Sequence, residues 1–177
     1  MITGMPRIAL AVSDFAAAVA MFRGDLGMPV LDVSRASVPS LGARIAMCMP
    51  EGGSHIELMS PADPEAPLSQ SLRRFLDRQG EGPFAVMLEA PDPDAEAEEL
   101  SRRGLRVLPP MKGAAGRDLH PSSTHGVLIR VYPVDSFQGE ALTARGLGVR
   151  SASDRPDVVE VDRKSACGAL LRIEPSA

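Results

Sequence analysis

The chain has 177 residues and a formal net charge of −4, with 44% hydrophobic and 24% charged residues. This composition is typical of a globular protein with one domain or two small modules. A pI near 5.4 without a basic stripe excludes nucleic acid as an expected partner. No apolar run is long enough to span a bilayer, and the start lacks a signal-peptide profile. With only two cysteines, the chain is expected to be cytoplasmic and not membrane-bound.

The first 60 residues predict one strand, one helix and three further strands. Ser13 and Asp14 offer an N-cap, and apolar residues then follow at helical spacing until Gly27 ends the helix. Short apolar runs bounded by Gly and Pro are typical of strands. The predicted strands are Ile8–Val12, Val30–Val33, Ala43–Met49 and His55–Met59.

After a connecting helix that ends at Gly80, the same order of elements begins again. A strand and a helix precede two more strands, with a glycine-rich loop at residues 113–116 between them. We therefore predict two tandem βαβββ modules, at residues 1–63 and 83–135, joined by residues 64–82. The predicted elements of the second module are Phe84–Leu88, Asp92–Arg103, Leu105–Leu108 and Val127–Tyr132.

The last 42 residues resemble part of the second module. A shift of 42 positions without a gap lays residues 98–133 on residues 140–175, and apolar runs with one charge and a closing proline coincide. Chance similarity between two helix–strand segments is the alternative explanation. We predict that residues 136–177 are a partial third αββ repeat that packs on the main domain, since so short a fragment has little core of its own.

Several of these stretches together resemble the vicinal oxygen chelate superfamily, which includes glyoxalase I, the bleomycin-resistance proteins and the extradiol dioxygenases. Within it, the methylmalonyl-CoA epimerases are the most similar branch. The resemblance implies an α+β fold in which the tandem βαβββ modules form one curled mixed sheet. The matching stretches are Ile8–Asp14, Phe22–Gly27, Ile56–Leu58, Gly80–Gly82 and His120–Ile129.

The resemblance also implies a divalent metal held by four strand residues, but this chain departs from that pattern. The four ligand positions fall on Arg7, Glu57, Ala85 and Arg130. A guanidinium stays protonated and has no lone pair to give to a metal. The catalytic bases of the epimerases fall on Arg130 and near Arg44 or Ile45, so both are missing. We therefore expect neither a metal nor another cofactor.

Three of these charged positions are predicted to converge in the cup of the curled sheet. With Arg7 and Arg130 around Glu57, the site would carry about one net positive charge. It would then anchor an anionic or acyl-thioester ligand, with Tyr132 as a further binding residue on the face of Arg130. Alternatively, the three charges form a structural ion cluster in place of the metal.

His55 lies two residues before Glu57, so both side chains are expected on the same face of their strand. His55 is the candidate general base or acid, with Glu57 beside it, although a half-exposed strand-end histidine is the alternative. The predicted function is a metal-independent isomerase, epimerase or lyase for a small carboxylate or acyl thioester. Non-catalytic sequestration of a small molecule stays open, and we expect a homodimer in either case.

Overall fold

A computed structural model of the chain describes residues 1–34, 42–50, 52–111 and 115–134, together with the backbone of three short strands further on. The chain divides into two compact units, Met1–Val134 and Asp135–Ala177, and each is considered by itself. Within the described residues, no helix is long and apolar enough to cross a membrane.

The first unit is built on one curled mixed sheet of seven strands with three α-helices. The strands lie in the order β2-β3-β4-β1-β5-β7-β6, and β1 and β5 pair antiparallel at the centre. β1 is parallel to β4 and β5 is parallel to β7, so the first strand of each module has the same kind of partner. The strands are β1 (Gly4–Ala11), β2 (Val30–Asp32), β3 (Ala43–Cys48), β4 (His55–Pro61), β5 (Gly82–Ala90), β6 (Arg117–Leu119) and β7 (Leu128–Pro133); the helices are α1 (Phe15–Ala20), α2 (Pro67–Gln79) and α3 (Pro93–Arg102).

Local sequence signals explain where the helices begin and end. Asp14 caps α1 by accepting a hydrogen bond from the Ala17 backbone N–H, and a π-helical turn, Met21–Asp25, extends this helix. Asp92 caps α3 in the same way, through the backbone N–H groups of residues 94 and 95. α2 begins at Pro67 and is capped at its end by Gly80, which has a positive φ. Asp14 and Gly80 stand where the sequence predicts a helix start and a helix end, whereas the cap at Asp92 and the start of α2 at Pro67 are findings of the structure.

Both faces of the sheet are buried. On the convex face, α1 and its π-turn pack on the sheet through a core that includes Phe15, Phe22 and Leu58. The alternate residues of β3, including Met47, are also fully buried, because they face the concave side. The strand sequences are therefore nearly continuous apolar runs, and a charged residue within them is an exception to this pattern.

The second module differs from the prediction at one strand. The predicted strand at residues 105–108 is reduced to a single antiparallel bridge between Val107 and Leu119. Pro109 and Pro110 follow directly, and because proline has no N–H group, they prevent the ladder from continuing. The partner of this bridge belongs to β6, a three-residue strand that the sequence analysis did not predict.

The described strands of the second unit agree in register with the 42-residue repeat. β8 (Val149–Ser151), β9 (Val159–Val161) and β10 (Leu171–Ile173) form an antiparallel sheet in the order β10-β9-β8. A shift of 42 residues turns the backbone pairs of the first unit into those of the second. Arg117–Val131, Leu119–Ile129 and Val107–Leu119 become Val159–Ile173, Val161–Leu171 and Val149–Val161.

A close backbone approach beside β6 depends on Gly116. This residue has φ +91°, and a Cβ atom there would lie 2.5 Å from the carbonyl oxygen of Val131 on β7. Gly126 has nearly the same φ, +90°, but a Cβ atom there would meet nothing within 4 Å. Gly116 is therefore required for its conformation and for its contact, whereas Gly126 is required for its conformation alone.

We predict that Gly116→Ala destabilises the protein more than Gly126→Ala. Positive φ should cost each variant about 1–2 kcal/mol, and the clash with β7 should add about 1–3 kcal/mol at position 116 alone. Chemical denaturation of both variants measures the difference. Equal losses would contradict the tight approach of this loop to β7.

Candidate active site

The candidate site lies on the concave face of the sheet, where the strand register brings charged residues together. Arg7 on β1 is opposite Met87 on β5, and Met87 is in turn opposite Arg130 on β7. Glu57 on β4 is in register with Ala9, two residues after Arg7. Because registered neighbours share a face of a sheet, these residues form one continuous surface.

Arg7 and Glu57 form a buried ion pair between the two parallel strands β1 and β4. The Nη1 atom of Arg7 donates to Oε2 of Glu57 over 3.1 Å. The side chains are only 5% and 7% exposed. A guanidinium and a carboxylate can be buried to this degree because each compensates the charge of the other.

Arg130 forms a second buried ion pair, and its partner is Asp118 on β6. Nη1 of Arg130 donates to both carboxylate oxygens of Asp118, over 3.0 and 2.8 Å. Its Nε and Nη2 atoms donate to the carbonyl oxygen of Ala115, over 3.1 and 2.6 Å, which the approach of Gly116 makes possible. Burial raises the pKa of Asp118 and Arg130 opposes that rise. A carboxylate that accepts through both oxygens has the geometry of an ionised group.

Tyr132 connects the two ion pairs. Its ring centroid lies 5.2 Å from the guanidinium carbon of Arg130, within the range of a cation–π contact. Burial raises the pKa of the phenol above its ordinary value, with smaller effects from Arg130, Glu57, Arg7 and Asp118. The phenol therefore keeps its proton near neutral pH and can donate a hydrogen bond.

A small cavity of about 80 Å³ opens beside these groups. Four of the lining residues are polar and the remainder are apolar, so a ligand would meet mainly methionine and aliphatic side chains. The N-terminal end of α2 closes one side of the cavity through Leu68. The cavity is lined by Ile45, Glu57, Met59, Leu68, Phe84, Ala85, Met87, Met111, Asp118, Leu128, Arg130 and Tyr132.

The structure brings together four of the five predicted site residues but pairs them differently. Arg7, Glu57, Arg130 and Tyr132 lie in one cluster. The carboxylate partner of Arg130 is Asp118, which the sequence analysis did not identify. Among the described residues of the cluster, two arginines and two carboxylates give a formal charge of zero, whereas the sequence predicts +1. The signal for Asp118 is weak, since it lies in a strand of only three residues.

His55 lies at the edge of this cluster. It is in register with Arg7 and shares a strand face with Glu57, but it is not among the residues that line the cavity. Partial burial and the charge of Arg7 lower its pKa below the ordinary value. The imidazole is therefore neutral at pH 7 and lies beside the Arg7–Glu57 pair.

The other two histidines lie at a turn and are not among the residues that line the cavity. His120 caps the 3₁₀ turn Pro121–Ser123, with the Ser122 backbone N–H donating to its Nδ1 over 3.0 Å. His125 follows this turn with φ 54°. Cys48 is fully buried, and burial raises the pKa of its thiol to about 11, so it is not an activated nucleophile.

The residues at the expected ligand positions do not fit a divalent metal. The four positions lie on adjacent strands and share one surface of the sheet; they are Arg7, Glu57, Ala85 and Arg130. Of these four residues, only Glu57 can donate an electron pair to a metal. No group of three or more His, Cys, Asp or Glu residues suited to a metal occurs in the described part of the chain.

The position of the second epimerase base is apolar. Ile45 lines the cavity, whereas Arg44 lies on the opposite face, with its guanidinium carbon 4.0 Å from the centroid of the Phe15 ring. Among the described residues, the position expected for the second base therefore holds no acid or base that faces the cup.

Residues 7–120 match the family described as the glyoxalase/bleomycin resistance protein/dioxygenase superfamily. The chain belongs to this superfamily. Its sheet is the curled sheet that the resemblance implies, and the two buried arginines on it, Arg7 and Arg130, are each paired with a carboxylate.

Among solved structures, methylmalonyl-CoA epimerase from Mycobacterium tuberculosis is 27% identical with a TM-score of 0.62, covering 78% of this chain and 93% of its own. A methylmalonyl-CoA epimerase in complex with methylmalonyl-CoA and NH4+ is 27% identical with a TM-score of 0.63, covering 77% and 97%. A variant of Streptomyces coelicolor methylmalonyl-CoA epimerase in complex with 2-nitronate-propionyl-CoA is also 27% identical with a TM-score of 0.63, covering 77% and 100%. None of the curated proteins matches the sequence significantly.

We predict that Asp118→Asn destabilises the protein by about 3 kcal/mol, because it leaves the Arg130 guanidinium buried without a counter-charge. The double variant Asp118→Leu/Arg130→Met should be more stable than Asp118→Asn, since both charges are removed together. Urea denaturation measures both effects. Glu99→Gln, which breaks two exposed ion pairs at the end of α3, is the control and should leave the midpoint nearly unchanged.

We predict that NMR titration gives His55 a pKa below 6.5 and that Arg7→Met raises it part of the way, since burial is the larger cause of the shift. As the pH falls, His55 is protonated in the unfolded state before it is protonated in the folded state. His55 should therefore lower the free energy of unfolding as the pH falls from about 6.5 through the lowered folded-state pKa. Arg44→Met, on the other face of the sheet, is the control. An unchanged His55 pKa in Arg7→Met would contradict the proximity of the two groups.

Proposed function

We propose that this protein is a metal-independent isomerase or lyase of the superfamily that acts on a small carboxylate or acyl thioester. The observation that carries the proposal is that Glu57, Arg130 and Tyr132 line one small, mainly apolar cavity. A carboxylate, a cation and a phenol around a dry space are the groups needed to move a proton next to a carbonyl group.

In the proposed reaction, Glu57 removes a proton from the carbon next to the carbonyl group. The electron pair of the broken C–H bond moves towards the carbonyl oxygen, which becomes an enolate oxygen, and Glu57 becomes a neutral carboxylic acid. The phenol of Tyr132 donates a hydrogen bond to that oxygen, and Arg130 supplies a nearby positive charge. Arg7 holds the Glu57 carboxylate in place through the 3.1 Å hydrogen bond.

The arrangement around Glu57 favours return of the proton to the same face of the substrate. The position of the second epimerase base is occupied by Ile45, and the remaining carboxylate, Asp118, is held by two hydrogen bonds from Arg130. For a substrate with a β,γ double bond, the electron pair spreads over a dienolate, and Glu57 can return the proton to the γ carbon on the same side while the double bond moves to the α,β position, as in an isomerase. Alternatively, for a substrate with a leaving group on the β carbon, the electron pair of the enolate forms the Cα=Cβ double bond, and the leaving group departs with the electrons of its own bond and takes up the proton from Glu57, as in a lyase.

The relatives support an acyl thioester as the ligand class. Two of the similar structures are epimerases in complex with methylmalonyl-CoA or with 2-nitronate-propionyl-CoA. The cup of this chain is formed by a curled sheet of the same fold as in these two structures. The apolar lining, with Met59, Met87 and Met111, suits an acyl chain of a few carbons.

A second candidate function is binding without chemistry. It is favoured by one observation: both guanidiniums of the cluster already have carboxylate partners, as a structural ion cluster requires. In that case the protein would sequester an acyl compound, and neither Glu57 nor Tyr132 would move a proton.

Deuterium incorporation from D₂O next to the carbonyl group of a bound acyl-CoA, followed by mass spectrometry, distinguishes the two functions. For a catalyst, we expect Glu57→Gln to reduce exchange about 100-fold or more, and Tyr132→Phe to reduce it about tenfold to 100-fold. His55→Gln should retain most of the activity, because His55 does not line the cavity.

Binding by each variant is measured in parallel, so that a loss of exchange is separated from a loss of fold. Glu98→Gln, an exposed carboxyl residue of α3 outside the cavity lining, is the matched control. Absence of exchange for every acyl-CoA that binds the wild-type protein would refute the catalytic proposal and favour sequestration.

A further inference from the structure

We propose that the cup selects an acyl group without charge and discriminates against an acyl group that carries its own carboxylate. This inference rests on the proposed function, because it names the substrate class of the same site. Among the similar structures, one is an epimerase bound to methylmalonyl-CoA, whose acyl group does carry a carboxylate.

The charged side chains of the cavity lining nearly balance one another. The cavity lining contains two carboxylates, Glu57 and Asp118, and one guanidinium, Arg130. Arg7 stands behind Glu57 and balances it. Within the described residues, the cluster therefore offers no excess positive charge to an entering carboxylate.

The guanidinium of the cavity lining already has hydrogen-bond partners within the protein. Arg130 makes four hydrogen bonds, two to the Asp118 carboxylate and two to the carbonyl oxygen of Ala115. A guanidinium has five N–H groups, so these contacts occupy most of its donors. A ligand carboxylate would have to displace Asp118, whose own charge would then be left buried near another anion.

The rest of the cavity surface is apolar. Eight of the twelve lining residues are apolar, and three of those eight are methionines, which adapt to small changes in ligand shape. The volume of about 80 Å³ corresponds to roughly six water-sized positions. A branched or linear acyl group of three to five carbons is about this size, and it would meet mainly apolar atoms.

Isobutyryl-CoA and methylmalonyl-CoA provide a matched pair of probes, because they differ only by a methyl group in place of a carboxylate. Titration calorimetry of the wild-type protein with each, and with free CoA as the baseline, measures the preference directly. We expect isobutyryl-CoA to bind about tenfold more tightly or better than methylmalonyl-CoA.

Asp118→Asn tests the cause of the preference, because it removes the negative charge that is paired with Arg130 in the wild-type protein. In this variant the ratio of the two dissociation constants should move by about tenfold towards methylmalonyl-CoA. Asp94→Asn, which breaks the more exposed pair with Arg117, is the control and should leave the ratio unchanged. The wild-type measurement decides the proposal by itself if Asp118→Asn does not fold.

Methylmalonyl-CoA binding as tightly as isobutyryl-CoA, or more tightly, would overturn this inference and leave the proposed function intact. If neither compound binds more tightly than free CoA, the acyl-thioester function and this inference both fail. An unchanged ratio in a folded Asp118→Asn variant would refute the role of the Arg130–Asp118 pair in selection.

Discussion

Two buried guanidinium–carboxylate pairs on the concave face are the constraint on which the rest of this structure depends. Arg7–Glu57 ties β1 to β4, and Arg130–Asp118 ties β7 to β6, so one pair fixes each half of the sheet. Leaving a buried charge without its partner costs about 3–5 kcal/mol, a large share of the stability of an ordinary domain. The charges can therefore be kept only as pairs, and strand register, loop conformation and cavity shape must all preserve them.

The loop before β6 shows how this constraint reaches the backbone. Arg130 needs acceptors on both of its edges, and a single carboxylate satisfies only one of them. The carbonyl group of Ala115 satisfies the other, and it can do so because Gly116 adopts a positive φ and approaches β7 closely. The conformation of a glycine thereby determines whether a guanidinium 14 residues later is fully bonded.

The sequence was sufficient to predict most of the fold but only part of the site. Apolar runs bounded by Gly and Pro, capping residues such as Asp14, and the repeated order of elements were strong local signals. The pairing of charges was not local. Asp118 and Arg130 are 12 residues apart and meet only because β6 and β7 pair antiparallel in that register. Nothing in a three-residue strand indicates its register, so the sequence predicts Glu57 as the shared partner of both arginines.

The same pairs explain how this chain can differ chemically from relatives with the same fold. A divalent cation attracts any anionic oxygen that reaches it, whereas a guanidinium already bonded to a carboxylate attracts none strongly. Guanidiniums that are already paired provide neither a Lewis acid nor a strong excess of positive charge. The described lining of the cavity adds Tyr132 and mainly apolar side chains, three of them methionines. A site of this composition suits a ligand that is matched by its shape and by one carbonyl group, as the proposed function requires.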